Sequence, residues 1–213
     1  MRNIRVILAK CCQGQEKRGV ELASDYLLHK LNFPFNKTKI DAHFFNDLNL
    51  GNYCLYHYAI RSLKNQEFPL IIGGDHTVSA GSIQASVDTV KNLHVLWVDA
   101  HADINTPLTS NSGNAHGMGV ASLLGIMKPF VKGKKSLDPS QITYIGLRDV
   151  EPDEEEVLKR LNIKQYRMDS LHDMDKVVDE IKTDNKDANF HISLDIDALD
   201  PKIAPATGTP VKA

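Results

Sequence analysis

The sequence predicts an α/β fold: a mainly parallel sheet flanked by helices. Two observations carry that expectation. Short apolar runs of strand length alternate along the chain with segments whose apolar residues recur at helical spacing, the pattern of a parallel sheet covered on both faces. Three of the apolar runs also end in Asp and His, and open parallel sheets bind ligands beyond the carboxyl ends of their strands.

Taken in order, strands are expected at 4–9 (IRVILA), 38–44 (TKIDAHF), 68–73 (FPLIIG), 93–100 (LHVLWVDA), 141–147 (QITYIGL), 163–168 (IKQYRM) and 189–197 (NFHISLDID). Helices are expected near 16–31, 52–65, 77–90, 116–127, 152–161 and 171–183. The last carries Leu171, Met174, Val177, Val178 and Ile181, an i, i+3, i+4 stripe. The acidic run EPDEEE at 151–156 suits a helix first turn, where carboxylates meet the positive end of the dipole. The stretch 104–114, INTPLTSNSGN, reads as a polar loop directly after a cluster of ligand-type residues.

The totals set limits. A chain of 213 residues suits one domain, expected to span 1–213. It is 42% hydrophobic and 24% charged, close to a globular average. A net charge of -2 gives no electrostatic case for binding nucleic acid or a membrane. No apolar run approaches the roughly 20 residues of a membrane helix, and MRNIRVILAK does not read as a signal peptide, because Arg5 interrupts its apolar run. Cys11, Cys12 and Cys54 are odd in number and two are adjacent, which points to free thiols in a reducing, cytoplasmic setting.

The chemistry concentrates at three strand ends: Asp75 and His76 in LIIGGDH, Asp99, His101 and Asp103 in LWVDAHAD, and Asp195 and Asp197 in HISLDIDALD. On an extended backbone, residues i, i+2 and i+4 share one face, so Asp99, His101 and Asp103 are expected to present their donors together. Each motif alone is weak, since an Asp after a strand often only caps a loop. Together they form a set that cannot stay ionised side by side without cations. Oxygen donors with two imidazoles suit Mn²⁺ better than structural Zn²⁺. Bridging carboxylates allow two metals, and two-metal sites activate water for hydrolysis. His29, His43, His57, His94, His172 and His191 lack such a context and read as core or surface residues.

GGDHTVSAGSI, WVDAHADINTPLTSNSGNAHGM and SLDIDALDPKIAPATGTPV resemble the three signature regions of the arginase and ureohydrolase family. The similarity runs from about residue 4 to the last residue and weakens between about 33 and 66. The resemblance implies a three-layer arginase-like α/β fold and two Mn²⁺ per chain. It places one ion with His76, Asp99, Asp103 and Asp195, and the other with Asp99, His101, Asp195 and Asp197, Asp99 and Asp195 bridging. His116, as proton carrier, and Asp103 are the implied catalytic residues; Asn105, Ser110, Ser112 and Asn114 match positions that grip an α-carboxylate, and Glu151 and Glu154 the α-amino side. The implied reaction is hydrolysis of L-arginine to L-ornithine and urea. The alternatives are a ureohydrolase acting on agmatine, guanidinobutyrate or formiminoglutamate, or a non-catalytic metal-binding module. The loop favours arginine, because agmatine lacks the carboxylate it would hold.

There are departures from the family pattern. Relatives more often have Asp where this chain has Glu151, and commonly a glycine near AKCCQGQ. They usually carry a further C-terminal third beyond the position of Ala213, with a glutamate for the guanidinium and the contacts of a homo-oligomer, a trimer or hexamer. Without such a segment, the strand ending in HISLDID is expected to show a bare edge or an uncovered face.

Overall fold

The computed structural model describes residues 3–32, 36–42 and 47–212, with only the backbone of 36–42. Seven strands alternate with six helices among them. The strands are β1 (Ile4–Ala9), β2 (Asn36–Ala42), β3 (Phe68–Gly73), β4 (Leu93–Val98), β5 (Ile142–Leu147), β6 (Lys164–Arg167) and β7 (Asn189–Leu194). The helices are α1 (Val20–Lys30), α2 (Leu48–Lys64), α3 (Val78–Thr89), α4 (Gly119–Leu124), α5 (Pro152–Arg160) and α6 (Met174–Asp184).

All strand pairs are parallel, but the ladders form two sheets rather than the one expected: β2-β1-β3 and β6-β5-β4-β7. No ladder joins β3 to β7 among the described residues. The sheets are linked instead by side chains of α3 and of the loop before it: Ser86 Oγ lies 2.9 Å from His191 Nδ1, and His76 Nε2 lies 2.9 Å from Ser193 Oγ.

Alternation along the strands sorts the core. Leu93, Val95 and Trp97 of β4 and Ile142 and Tyr144 of β5 pack with Ile83 and Val87 of α3, Val120 and Leu123 of α4 and Leu158 of α5. The opposite register, Leu96, Val98 and Ile145, packs with Val177 and Ile181 of α6. In the other sheet, Ile7 and Ala9 meet Leu55 of α2. On β7, His191 and Ser193 turn toward α3, while Phe190, Ile192 and Leu194 are 39%, 65% and 63% exposed. One face of β7 is therefore apolar and wet, and its outer edge is unpaired among the described residues.

Element ends follow local chemistry. Asp47 caps α2 by accepting from the amides of Asn49 and Leu50. Asp173 accepts from Lys176 N–H, so α6 starts at Met174, later than the apolar stripe from Leu171 suggests. The helix expected at 116–127 is split into a 3-10 turn, Ala115–Met118, and α4, which Gly125 stops at φ 72°. β4 and β7 end at Val98 and Leu194, short of the expected 100 and 197. The expected strand at 38–44 begins earlier, at Asn36, and its positions 43 and 44 fall outside the described residues. No helix of the described residues is long and apolar enough to cross a membrane.

His191 makes stability depend on pH. Burial lowers its pKa from 6.5 to about 4. Between those values the unfolded chain binds a proton that the folded chain refuses, so stability falls as pH drops from 6.5 to about 4 and is flat on either side. The loss is at most about 3 kcal/mol. His191→Gln keeps a polar partner for Ser86 and is expected to remove this component. Urea unfolding of both proteins at pH 7 and pH 4.5 checks it: the difference between them should shrink by 1–3 kcal/mol at the lower pH, and an unchanged difference would refute the assignment.

Candidate metal centre

The segments leaving β3, β4 and β7 meet at one place, with Asp99 in the middle. Asp99 is the first residue past β4, buried, with its N–H on Ile145 O at 3.1 Å. Its Oδ1 accepts from His101 N–H at 2.8 Å, and its Oδ2 accepts from Trp97 Nε1 at 3.0 Å. The first contact turns the chain sharply, so Asp99, His101 and Asp103 do not lie along one strand face as expected. A short carboxylate here outcompetes a ladder for its neighbour's amide, and the side chains converge through a bend instead. Asp103 completes the bend in the left-handed region, φ 49°. For a non-glycine residue that costs of the order of 1 kcal/mol or more and needs support from its surroundings. Val120 N–H donates to Asp103 O at 2.9 Å, Tyr144 OH to Ala102 O at 2.7 Å, and Ile104 N–H to Glu154 Oε1 at 3.1 Å.

His76, in the loop between β3 and α3, places Nδ1 2.9 Å from Asp99 Oδ2, 3.0 Å from Asp103 Oδ2 and 3.3 Å from Asp195 Oδ2. That nitrogen is buried and makes no hydrogen bond. His76 Nε2 is held by Ser193 Oγ, and the ring lies 4.3 Å from that of Trp97. On the other side, His101 Nδ1 is 3.2 Å from Asp197 Oδ2 and 3.5 Å from Asp99 Oδ1. Asp195 heads the 3-10 turn Ile196–Ala198 and accepts from Asp197 N–H at 3.0 Å, so Asp195 and Asp197 are placed by a turn and not by strand alternation. Thr209 Oγ1 donates to Asp197 Oδ2 at 2.8 Å. Arg148 donates to the carbonyls of Asp197, Ala198 and Val211, pinning the segment after β7.

Two compact donor sets result: His76, Asp99 and Asp103, and Asp99, His101 and Asp197, each with ligand atoms within 4.8 Å of one another. Asp99 belongs to both. Asp195 approaches the His76 side but joins neither set. Asp75, which the sequence grouped with these carboxylates, also lies outside them; its oxygens face Gly14 and Thr77.

Crowding shifts the titration of Asp103, Asp195, His101 and Asp99. Burial, then the charge of Asp99, pushes Asp103 up to about 8. Burial raises Asp195 to about 6, with Asp99 and Asp197 adding to it. Burial opposes charge on His101, yet Asp197 and Asp99 outweigh it and raise the ring to about 11. Burial would raise Asp99 too, but the close rings of His101 and His76 hold it well below the usual range. Protons thus do the neutralising that cations can do. The orphaned Nδ1 of His76 among carboxylate oxygens, and the oxygen-rich donor sets, fit divalent cations of the Mn²⁺ kind.

The polar loop leaves this cluster at Ile104. Asn105 is buried, donates to Glu151 Oε2 at 3.0 Å and accepts from Thr109 OH at 2.8 Å. Ser110 Oγ accepts from Gly113 N–H at 3.0 Å, and Ser112 Oγ from Asn114 N–H at 3.2 Å, so the loop orders itself. Glu154 is buried, with its oxygens accepting from the amides of Ile104 and Glu151. His116 is half-buried in the 3-10 turn, its Nδ1 3.0 Å from Gly14 O. Burial lowers its pKa; Asp75 and Gly14 oppose this, and His76 and His101 add to it.

Sequence reasoning missed Trp97, Ser193, Arg148, Thr209 and Gly14. Trp97 and Ser193 carried a signal, each standing two positions before a strand-end aspartate, Asp99 and Asp195.

A sequence profile described as "Arginase family" matches residues 3–213. The hepatic arginase of Aquarana catesbeiana is 46% identical over 154 residues, covering 67% of this chain and 48% of its own. The structure matches that of the arginase from Bacillus caldovelox with a TM-score of 0.88 at 30% identity, covering 100% of this chain and 82% of that one. It matches the Entamoeba histolytica arginase, solved in complex with L-ornithine, with a TM-score of 0.85 at 27% identity, covering 100% and 82%. The chain spans about half the length of the curated relatives it matches. A profile match along almost the whole described chain, joined to this likeness in fold, shows that the chain belongs to the arginase family, whose parallel sheets and flanking helices it shares.

Proposed function

We propose that this chain carries the catalytic centre of a binuclear manganese hydrolase that converts L-arginine to L-ornithine and urea. The observation that carries the reading is Asp99 standing in two donor sets at once, with an Asn- and Ser-rich loop leaving the same cluster. The L-ornithine of the Entamoeba histolytica relative is the product this reading assigns here.

His76, Asp99, Asp103 and Asp195 would hold one Mn²⁺, and Asp99, His101, Asp195 and Asp197 the other. When bound, two such ions supply Lewis acidity and acidify water near neutral pH. Water adds to the guanidinium carbon, the bond from that carbon to the side-chain nitrogen breaks, and the ornithine amine leaves with a proton. His116 is the proton carrier: its Nδ1 is engaged by Gly14 O, so the other ring nitrogen handles the proton. Asp103, which is buried, would be both a metal ligand and a hydrogen-bond acceptor for the reacting water. At the far end, Asn105, Ser110, Ser112 and Asn114 offer neutral donors to the α-carboxylate, while Glu151 attracts the α-amino group. Glu154, bonded to two backbone amides, serves that end by holding Glu151 and Ile104 in place.

Elemental analysis of the purified chain supplied with Mn²⁺ should find two ions. Asp99→Asn should reduce both, since one shared carboxylate oxygen becomes an amide. A single tightly bound Zn²⁺ with no second site contradicts the binuclear assignment.

His116→Ala should leave metal content near normal and lower turnover about 10²–10⁴-fold, the usual worth of a positioned proton carrier. Metal loss in this variant would make His116 a ligand and the role assigned to it wrong.

L-Arginine should be preferred to agmatine by several kcal/mol in kcat/KM, because agmatine leaves the loop donors without the carboxylate they are placed to meet. Comparable values for the two substrates would favour an agmatine-directed enzyme instead.

A further inference from the structure

We propose that Asp75 is a positioning residue that acts through the backbone of Gly14 to hold His116 in one orientation and one neutral tautomer. This rests on the reading of His116 as the proton carrier.

Asp75 is a buried acid (4% exposed) that belongs to neither donor set. Its oxygens are used by the protein itself. Oδ2 accepts from Gly14 N–H at 2.8 Å, and Oδ1 accepts from Thr77 N–H at 3.0 Å and from the Thr77 hydroxyl. The other end of Gly14 faces the site. Its carbonyl oxygen receives His116 N–H at 3.1 Å and lies 3.0 Å from His116 Nδ1. Three segments distant in sequence, those after β1, after β3 and before α4, are thereby closed into one chain of contacts. The first two are also tied by Gly74 N–H to Ala9 O at 3.0 Å and Asp75 N–H to Cys11 O at 2.9 Å. Position 14 has no room for a side chain: a Cβ there would lie 2.5 Å from Thr77 Cγ2 and 2.8 Å from Asp75 Oδ1.

The chemistry follows from what a carbonyl can do. It accepts and never donates, so Nδ1 must bear the proton whenever the ring is neutral, leaving the Nε2 lone pair free. Asp75 and His116 meet different amides of Gly14, the one before its Cα and the one after it, so Asp75 acts by fixing where the Gly14 carbonyl points. When Nε2 takes a proton, the imidazolium keeps the same Nδ1 contact, so the ring need not turn during the cycle.

The test is ¹⁵N NMR of the His116 ring in the full chain with diamagnetic Mg²⁺ supplied, at a pH where the ring is neutral. The parent should show the Nδ1–H form alone; an Nε2–H form overturns the proposal. In Asp75→Asn one oxygen becomes an NH₂ group that faces either the Gly14 amide or Thr77. The ring should then show both tautomers, with kcat down about tenfold and KM within twofold. A folded Asp75→Asn with only the Nδ1–H form overturns the role of Asp75. If that variant does not fold, Thr77→Val, which removes one anchor of Asp75, decides in the same way: a detectable Nε2–H fraction supports the proposal and none overturns it. Normal turnover in His116→Ala would instead sink the proton-carrier reading while leaving the tautomer result standing.

Discussion

The whole site depends on one buried carboxylate. Asp99 has a neighbour on every side: Trp97 Nε1 and the His101 amide donate to it, and the rings of His76 and His101 flank it. Each contact comes from a different local decision of the chain. Trp97 sits two residues back on β4 with its ring in the core, so the core fixes the direction of the carboxylate. The bond to the His101 amide makes the bend that delivers His101 and Asp103. A buried charge with this many partners is costly to isolate, and the remaining geometry can be understood as keeping it company.

Much of this was legible in the sequence, and the failures are instructive. Strand–helix alternation located all seven strands, since β-branched and apolar runs in a covered sheet have few other uses. Residue type marked the strand ends correctly as a meeting point for His76, Asp99, His101, Asp103 and Asp197. The reason assumed for their convergence was wrong. Period-two alternation describes a backbone that stays in a ladder, and β4 leaves its ladder at Val98. Beyond that point conformation is set by which carboxylate captures which amide, and no pattern of polar and apolar letters records that. The left-handed Asp103 and the division into two sheets were illegible for the same reason: both depend on contacts made across the fold. Asp75 shows the complementary limit. By type and place it belonged with the ligands, yet its oxygens are taken by Gly14 and Thr77, the first of them 61 residues away in the sequence.

The same crowding explains why the polar loop beyond Ile104 is so thoroughly tied. A segment beside several acids is poorly placed to rely on water alone. Here Glu154 receives two backbone amides, Asn105 bridges Glu151 and Thr109, and two serine hydroxyls accept from amides within their own turns. On the proposed reading, such a loop would meet its ligand with donors already oriented, which lowers the ordering cost of binding.

The register of β4 against β7 has a kinetic side. Leu93 pairs with Asn189 and Val98 with Leu194, so this ladder closes a loop that contains the polar segment, α4, α5 and α6. Contacts of such high sequence separation form late, because the entropy of closing the loop is lost before the ladder returns anything. Asp197 and Asp195 reach His101 and His76 only after that closure. Loop-closure entropy thus couples the native arrangement of charge to the described ladder of highest sequence separation, and the acids of the β4 end have their β7 partners only where that ladder is formed.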